Sequence, residues 1–153
     1  MLLILEGPDG SGKTSLANKL SKQTGYNILH FSKPETEEEK DRMYEMYEEL
    51  IVCNRYAILD RSWYSEMVYG AVMRDSSYIS FDEMYQLEQI LADIGALIIY
   101  CTGPREVLWR RCTKRGEDYI TSMNKFNQIY DKYEELMSLD HIVPVVKYAF
   151  KDL

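Results

Sequence analysis

Runs of apolar residues alternate with amphipathic stretches along the chain. "LLILE", "YNILHF", "YAILD", "ALIIYC" and "HIVPVV" are short and nearly continuous in apolar side chains, the pattern of strands buried on both faces. Five of them fit one parallel sheet. The stretches between them carry the start and stop signals of helices. Thr36 with Glu39 forms a capping box ahead of Met43, Met46, Tyr47, Leu50 and Ile51, which recur at helical spacing. Ser80 with Glu83 repeats the box before Met84, Leu87, Leu91 and Ile94, and Gly95 stops that helix. Pro104 suits the first turn of the next, and Phe126, Ile129, Tyr130, Tyr133 and Leu136 form the apolar stripe of the last. Such alternation predicts an α/β fold of three layers, a five-stranded parallel sheet flanked by helices on both faces. Ligands in such folds bind beyond the carboxyl ends of the strands.

Composition sets the outer limits. With 153 residues, 46% of them hydrophobic, and no Pro/Gly/Ser-rich linker, the chain is expected to form a single domain over 1–153. No apolar run is long enough to cross a bilayer and the start lacks the features of a secretory signal, so the cytoplasm is the expected location and no membrane partner is expected. Cys53, Cys101 and Cys112 follow no metal-binding or redox spacing and read as reduced, structural residues. Thirteen scattered tyrosines read as packing at the core edge rather than as a stacking platform. A net charge of -7 argues against broad nucleic-acid binding. The charge is uneven, however: residues 35–49 are mostly acidic, whereas Arg105, Arg110, Arg111, Lys114 and Arg115 crowd into one short segment. Solvated helix faces account for either run, and the basic one also has a chemical use.

The first apolar run leads into "GPDGSGKTSL": Gly7, four residues, then Gly12, Lys13 and Thr14, followed by a helix pattern. Strand, glycine-rich loop and helix at this spacing form a phosphate-gripping P-loop. The glycines let backbone N–H groups turn inward on phosphate oxygens, and the helix presents its positive end. Gly7, Gly10, Ser11, Gly12, Lys13, Thr14 and Ser15 are therefore the candidates for binding ATP. Lys13 adds a charge for the outer phosphates, and the Thr14 hydroxyl suits Mg²⁺. The metal also needs a carboxylate at the end of an adjacent strand, and "YAILDRS" supplies Asp60, whose alternative use is a helix N-cap. Arg61 follows at the same strand end. Its guanidinium can hold two phosphate oxygens or, alternatively, pair with Asp60 or another acid.

A phosphate grip alone does not choose between a switch, a binding module and a phosphotransferase. A guanine-nucleotide switch needs an Asn-Lys-x-Asp base-reading motif, and the Asn-Lys here, in "NKFN", falls inside a helix stripe. A phosphotransferase needs water kept from the reacting phosphate while the acceptor is brought in line, and a mobile basic lid meets that need. "WRRCTKRGED" fits such a lid over about 110–120, with Gly116 breaking the helix and Arg111 and Arg115 as the cations for the transferred phosphoryl group. A non-catalytic nucleotide-binding module is the alternative of another class. The complete set Lys13, Thr14, Asp60 and Arg61 argues against it.

"LILEGPDGSGKTSL", "AILDRSWYSEMVYG", "RCTKRGEDY" and "KFNQIYDKYEEL", in that order through most of the chain, resemble the thymidylate kinase group of nucleoside monophosphate kinases, particularly its short phage-type members. The resemblance implies a P-loop NTPase fold and transfer of the γ-phosphoryl group of ATP, with Mg²⁺, to a deoxynucleoside monophosphate, dTMP first. It implies that Asp9 binds the deoxyribose 3'-hydroxyl, that Lys13 and Thr14 hold ATP and the metal, and that Arg61 sits between donor and acceptor phosphates. Some members carry an arginine where this chain has Gly10; the arginine-rich lid here resembles the other kind. Members of the group are often dimers. A face around Tyr64, Met67 and Val68 is a candidate homodimer contact, with core packing as its other use. The chain departs from the group after the second strand, where "SKPET" stands for the Arg-Glu-Pro-Gly segment that holds the acceptor phosphate, with Lys33 in place of the arginine. Arg42, Tyr44, Tyr69 and Arg74 are the remaining candidate acceptor contacts.

The chemistry separates two kinases. A monophosphate acceptor is already anionic and needs only cations, whereas a nucleoside 5'-hydroxyl must lose a proton to a carboxylate near the end of the second strand. Lys33 favours the first. Glu35, two residues on, keeps a deoxyribonucleoside kinase as the alternative.

Overall fold

The computed structural model describes residues 1–31, 33–115 and 122–149. Strands β1 (Leu2–Glu6), β2 (Asn27–Leu29), β3 (Ala57–Asp60), β4 (Ala96–Thr102) and β5 (Val145–Ala149) form one parallel sheet in the order β2-β3-β1-β4-β5. Alternate side chains of β1 serve opposite cores: Leu2 and Ile4 face one, Leu3 and Leu5 the other. Helix α1 (Lys13–Thr24) covers the smaller core with Leu16 and Ala17. The larger core is closed by α3 (Met43–Cys53), α4 (Trp63–Arg74), α5 (Phe81–Ile94), α6 (Arg105–Arg115) and α7 (Met123–Met137). The three-layer α/β architecture read from the apolar pattern is the one the chain forms.

The helix signals act as expected, with one exception. Ser80 and Glu83 make the full reciprocal capping box of α5, and Gly95 (φ +81) ends it with its N–H on the Leu91 carbonyl. Thr36 does start α2 (Glu37–Asp41), its Oγ1 accepting from the Glu39 N–H, but the Glu39 carboxylate takes the N–H of Glu35 instead of closing the box. That helix breaks at Arg42, and α3 begins afresh with Met43, Tyr47 and Ile51 on its buried side.

The edge strands correct the expectation of burial on both faces. β2 and β5 each pair on one side only and leave most of their residues exposed or half-exposed. β5 also starts later than "HIVPVV" predicts. Pro144 has no N–H for the ladder and the Ile142 N–H is taken by Glu88, so pairing begins at Val145, with Pro144 lending its carbonyl to the Ile98 N–H. Tyr64, Met67 and Val68, the candidate dimer face, are buried in the larger core and serve packing instead. Among the described residues no helix is long and apolar enough to cross a membrane.

A buried polar cluster joins α4, α5 and the segment before β5. The Glu88 carboxylate accepts from the Tyr64 hydroxyl, the Ile142 N–H and His141 Nδ1, each at 2.8 Å, while His141 Nε2 donates to the Leu136 carbonyl at 2.8 Å. An acceptor at each ring nitrogen requires a proton on both, so His141 is held as the cation. Burial opposes that charge, but the bonds to Glu88 and Leu136 outweigh it and raise the pKa above the ordinary histidine value.

Candidate active site

The chain turns sharply beyond β1, between β4 and α6. Gly7 is required there, because a Cβ would stand 2.1 Å from the Cys101 carbonyl oxygen. Gly10 sits in the left-handed region (φ +82), where a Cβ would meet the Leu108 carbonyl of α6 at 2.6 Å. Gly12 (φ +79) then turns directly into α1 at Lys13, so the positive end of that helix faces the loop. The Ser11 hydroxyl is buried and has no hydrogen-bond partner among the described residues, whereas Thr14 and Ser15 are exposed on the first helical turn. Burial pushes the Cys101 thiol behind the loop up to about 12, which removes it as a nucleophile.

Lys13 reaches the end of β3, where its Nζ donates to Asp60 Oδ1 at 2.7 Å, with the two side chains only 10% and 7% exposed. His30 Nδ1 lies 3.8 Å from the other Asp60 oxygen. Asp60 is not the cap of the next helix: Ser62 caps α4, its Oγ accepting from the Tyr64 N–H.

Arg61 adopts φ +74, a backbone that costs a side-chain-bearing residue about 1–2 kcal/mol. Its N–H donates to the Leu5 carbonyl at 3.0 Å, and the turn swings the guanidinium back toward the loop. Nη2 donates to Asp9 Oδ1 at 2.8 Å; Nη1 donates to the Gly7 carbonyl at 3.2 Å and to the Ser65 and Tyr133 hydroxyls at 3.0 Å. The Tyr69 hydroxyl donates to the second Asp9 oxygen at 2.9 Å, and its ring lies 5.2 Å from the guanidinium. The ion-pair alternative for Arg61 therefore holds, with Asp9 as the partner rather than Asp60. Burial works against the charge of Arg61, but Tyr69, Tyr133, Asp9 and Glu6 around it outweigh that and raise its pKa further.

Beyond Arg61 opens a cavity of about 500 Å³, walled in part by Phe31, Lys33, Tyr47, Arg61, Glu66, Tyr69 and Arg74. Of the candidate acceptor contacts, Lys33, Arg61, Tyr69 and Arg74 thus stand together, and Asp9 joins them through Arg61 and Tyr69. Arg74 is already engaged: its Nη2 lies 2.8 Å from both Glu66 oxygens and its guanidinium stacks 4.3 Å above Tyr78. Arg42 does not reach the wall, because the break between α2 and α3 leaves it exposed. Tyr44 turns to Glu48, and Glu35 is exposed and off the wall as well.

The basic segment divides by position. Arg111 packs beside the loop, its Cβ 3.4 Å from where a Gly10 Cβ would stand. Arg105 binds Asp131 and Asn127 and lies over Tyr130, fastening α6 to α7. The side chain of Arg115 and residues 116–121, which include Gly116 and the rest of the expected lid, lie outside the described residues.

Residues 1–138 match the family described as Polyphosphate kinase 2 (PPK2). The chain belongs to the PPK2 family. It is 30% identical over 138 residues to the SPbeta prophage-derived uncharacterized protein YorR of Bacillus subtilis (strain 168), across 90% of this chain and 82% of YorR. A crystal structure of YorR in complex with phosphorylated GDP superposes with a TM-score of 0.81 at 27% identity, covering 97% of this chain and 85% of that one. A putative thymidylate kinase of Acidianus bottle-shaped virus (isolate Italy/Pozzuoli) is 35% identical over 95 residues, 60% of this chain and 61% of that protein. The fold is shared by deoxyadenosine kinase from M. mycoides with bound dCTP, at a TM-score of 0.61 and 19% identity over 97% of this chain and 90% of that one. Membership of the PPK2 family makes this chain a phosphotransferase, and its fold is the nucleotide kinase-like P-loop fold. The family itself is thus PPK2, where the motifs resembled thymidylate kinases.

Two residues to which the motifs gave no role join the hydrogen-bond network around Arg61. Glu6 ends β1 fully buried; its Oε2 accepts from the Ser62 N–H and hydroxyl at 2.8 and 2.7 Å and from the Ser65 N–H at 3.1 Å. Its Oε1 accepts from the Ser65 hydroxyl at 2.6 Å and the Tyr133 hydroxyl at 3.1 Å. A carboxylate closing an apolar strand was the available signal for Glu6. Tyr133 carried none, since nothing in the stripe sets it apart from Tyr130.

Proposed function

We propose that the chain transfers the γ-phosphoryl group of ATP to a deoxynucleoside monophosphate, dTMP first, to give the diphosphate. The observation that carries the reading is the charge around the cavity beside Arg61: Arg61 pairs with Asp9 and Arg74 with Glu66, which leaves Lys33 as a cation in excess of the two carboxylates. An anionic acceptor needs that surplus of positive charge. Loop residues 7–15 hold the ATP phosphates through backbone N–H groups and the start of α1. Mg²⁺, when bound, neutralises charge on the β- and γ-phosphates. One hydroxyl, Thr14, and one carboxylate, Asp60, suit an ion that keeps water and phosphate oxygens as its other ligands, and the unpartnered Ser11 hydroxyl suits a polar ligand in the loop. Lys13 exchanges Asp60 for phosphate oxygens. Asp9, beside Tyr69, accepts from the sugar 3'-hydroxyl, while Arg61 holds the two substrates' phosphates against each other and Arg111, with Arg115, supplies closing charge. The phosphorylated GDP of YorR and the viral relative named as a putative thymidylate kinase support a nucleotide in this site.

Glu66 on the cavity wall favours a second reading, a deoxyribonucleoside kinase that uses it as base. Against that, Arg74 and the Tyr78 N–H already hold both its oxygens, and Glu35 is off the wall. The family description raises polyphosphate as an alternative donor. One coupled assay separates these readings, run over deoxynucleoside monophosphates and nucleosides with either ATP or polyphosphate. Monophosphates with ATP are the expected productive pair. Turnover of nucleosides alone sinks the acceptor assignment, and turnover with polyphosphate alone sinks the donor. Nucleotide binding without any product leaves a non-catalytic binding module.

A further inference from the structure

Glu6 is a fully buried carboxylate with five donors around it, and among the described residues no lysine, arginine or histidine pairs with it directly. Such a group is costly to bury, so its placement asks for a use. Proton accounting supplies one. Arg61 Nη1 can only donate, so the Ser65 and Tyr133 hydroxyls must turn lone pairs toward it. Each hydroxyl has a single hydrogen, and both hydrogens then need an acceptor on the far side. Glu6 Oε1 stands there, 2.6 and 3.1 Å away. The 3.0 Å contact between the two hydroxyls offers that service to one of them but not to both. Glu6 Oε2 meanwhile fixes the N–H of Ser62, the peptide immediately after the left-handed turn at Arg61.

We infer that Glu6 is a positioning residue for Arg61: it orients the Ser65 and Tyr133 hydroxyls and the Ser62 peptide so that the guanidinium is held aimed between the phosphate loop and the acceptor cavity. The inference rests on the reading of Arg61 as the group between the two phosphates. Burial, and the charge of Glu6, hold the Tyr133 hydroxyl well above the ordinary tyrosine range, so it keeps the proton this arrangement needs. Glutamine at position 6 would keep the shape and replace one acceptor by a donor. That donor then competes with Arg61 for the hydroxyl lone pairs.

The test measures Glu6→Gln and Tyr133→Phe, each alone and combined with Arg61→Lys, by steady-state kinetics with ATP and dTMP and by the Arg61 side-chain N–H signals in ¹⁵N–¹H NMR spectra. Glu6→Gln is expected to lower kcat roughly 10- to 100-fold with KM for ATP nearly unchanged, because the loop backbone rather than Arg61 grips ATP. It is expected to add nothing to the loss in Arg61→Lys, and to broaden Arg61 signals that are sharp and slow to exchange in the wild type. A wild-type kcat, or a loss that adds in full to that of Arg61→Lys, overturns the inference. If Glu6→Gln fails to fold, Tyr133→Phe carries the same outcomes at smaller size. If the wild type turns over no acceptor, the reading of function has failed instead, and the spectra then decide: unchanged Arg61 signals in the variants overturn the positioning role.

Discussion

Replacing Gly10 by alanine tests how the phosphate loop is held. The residue has φ +82, where a side chain costs about 1–2 kcal/mol. The added Cβ would stand 2.6 Å from the Leu108 carbonyl oxygen, while ordinary contact begins at 3.4 Å, so loop or helix must give by about 0.8 Å (3.4 − 2.6). Leu108 is wholly buried in the larger core, so α6 cannot shift without disturbing packing, an overfilling of about 1–3 kcal/mol. The sum, about 2–5 kcal/mol, lowers the midpoint of thermal unfolding by about 4–20 °C for a chain of this size. Circular dichroism melts without nucleotide measure that shift. The same displacement carries Arg111 away from the loop, and a misplacement near 1 Å costs roughly 100-fold in rate. A Gly10→Ala protein with an unchanged midpoint and unchanged kcat would refute the clamp of the loop against α6. By the same geometry an arginine at this position, which some thymidylate kinases carry, does not fit this chain.

Lys13→Ala is expected to abolish transfer and, by stranding Asp60, to lower stability by about 3 kcal/mol or less; adding Asp60→Asn restores stability without activity. Retained transfer would refute the loop role of Lys13, and a double variant no more stable than the single would refute the ion-pair account. Lys33→Ala should raise KM for the monophosphate about tenfold and leave KM for ATP alone, and an equal change in both contradicts its place at the acceptor. The raised pKa of His141 means its stabilising contribution is complete below the ordinary histidine value near 6.5 and is lost as pH rises through the folded value. Thermal midpoints taken from about pH 6 to 9 should therefore fall in the wild type and fall less in Glu88→Gln; equal slopes contradict the imidazolium.

Local signals carried the fold far. Nearly continuous apolar runs located β1, β3 and β4, because strands buried on both faces have few polar positions to blur them. β5 slipped because Pro144 has no N–H to give the ladder and the Ile142 N–H is taken by Glu88, a partner distant in sequence. The placement of Lys13, Asp60 and Arg61 around the phosphate loop was legible because a loop and a strand end fix them locally. The Arg61 surroundings were not: Glu6 and Tyr133 meet across 127 positions, and no spacing rule reaches so far. Arg74 was expected from the sequence as a candidate acceptor contact and stands on the wall of the cavity, but its hold on Glu66 depends on how α4 meets the chain at Tyr78.

Transfer of label from [γ-³²P]ATP to dTMP, followed by chromatography of the products, tests the central claim most directly. Label in dTDP for the wild type, and none for Lys13→Ala, is the predicted result. Label released only as inorganic phosphate, or carried only to a nucleoside, would contradict it.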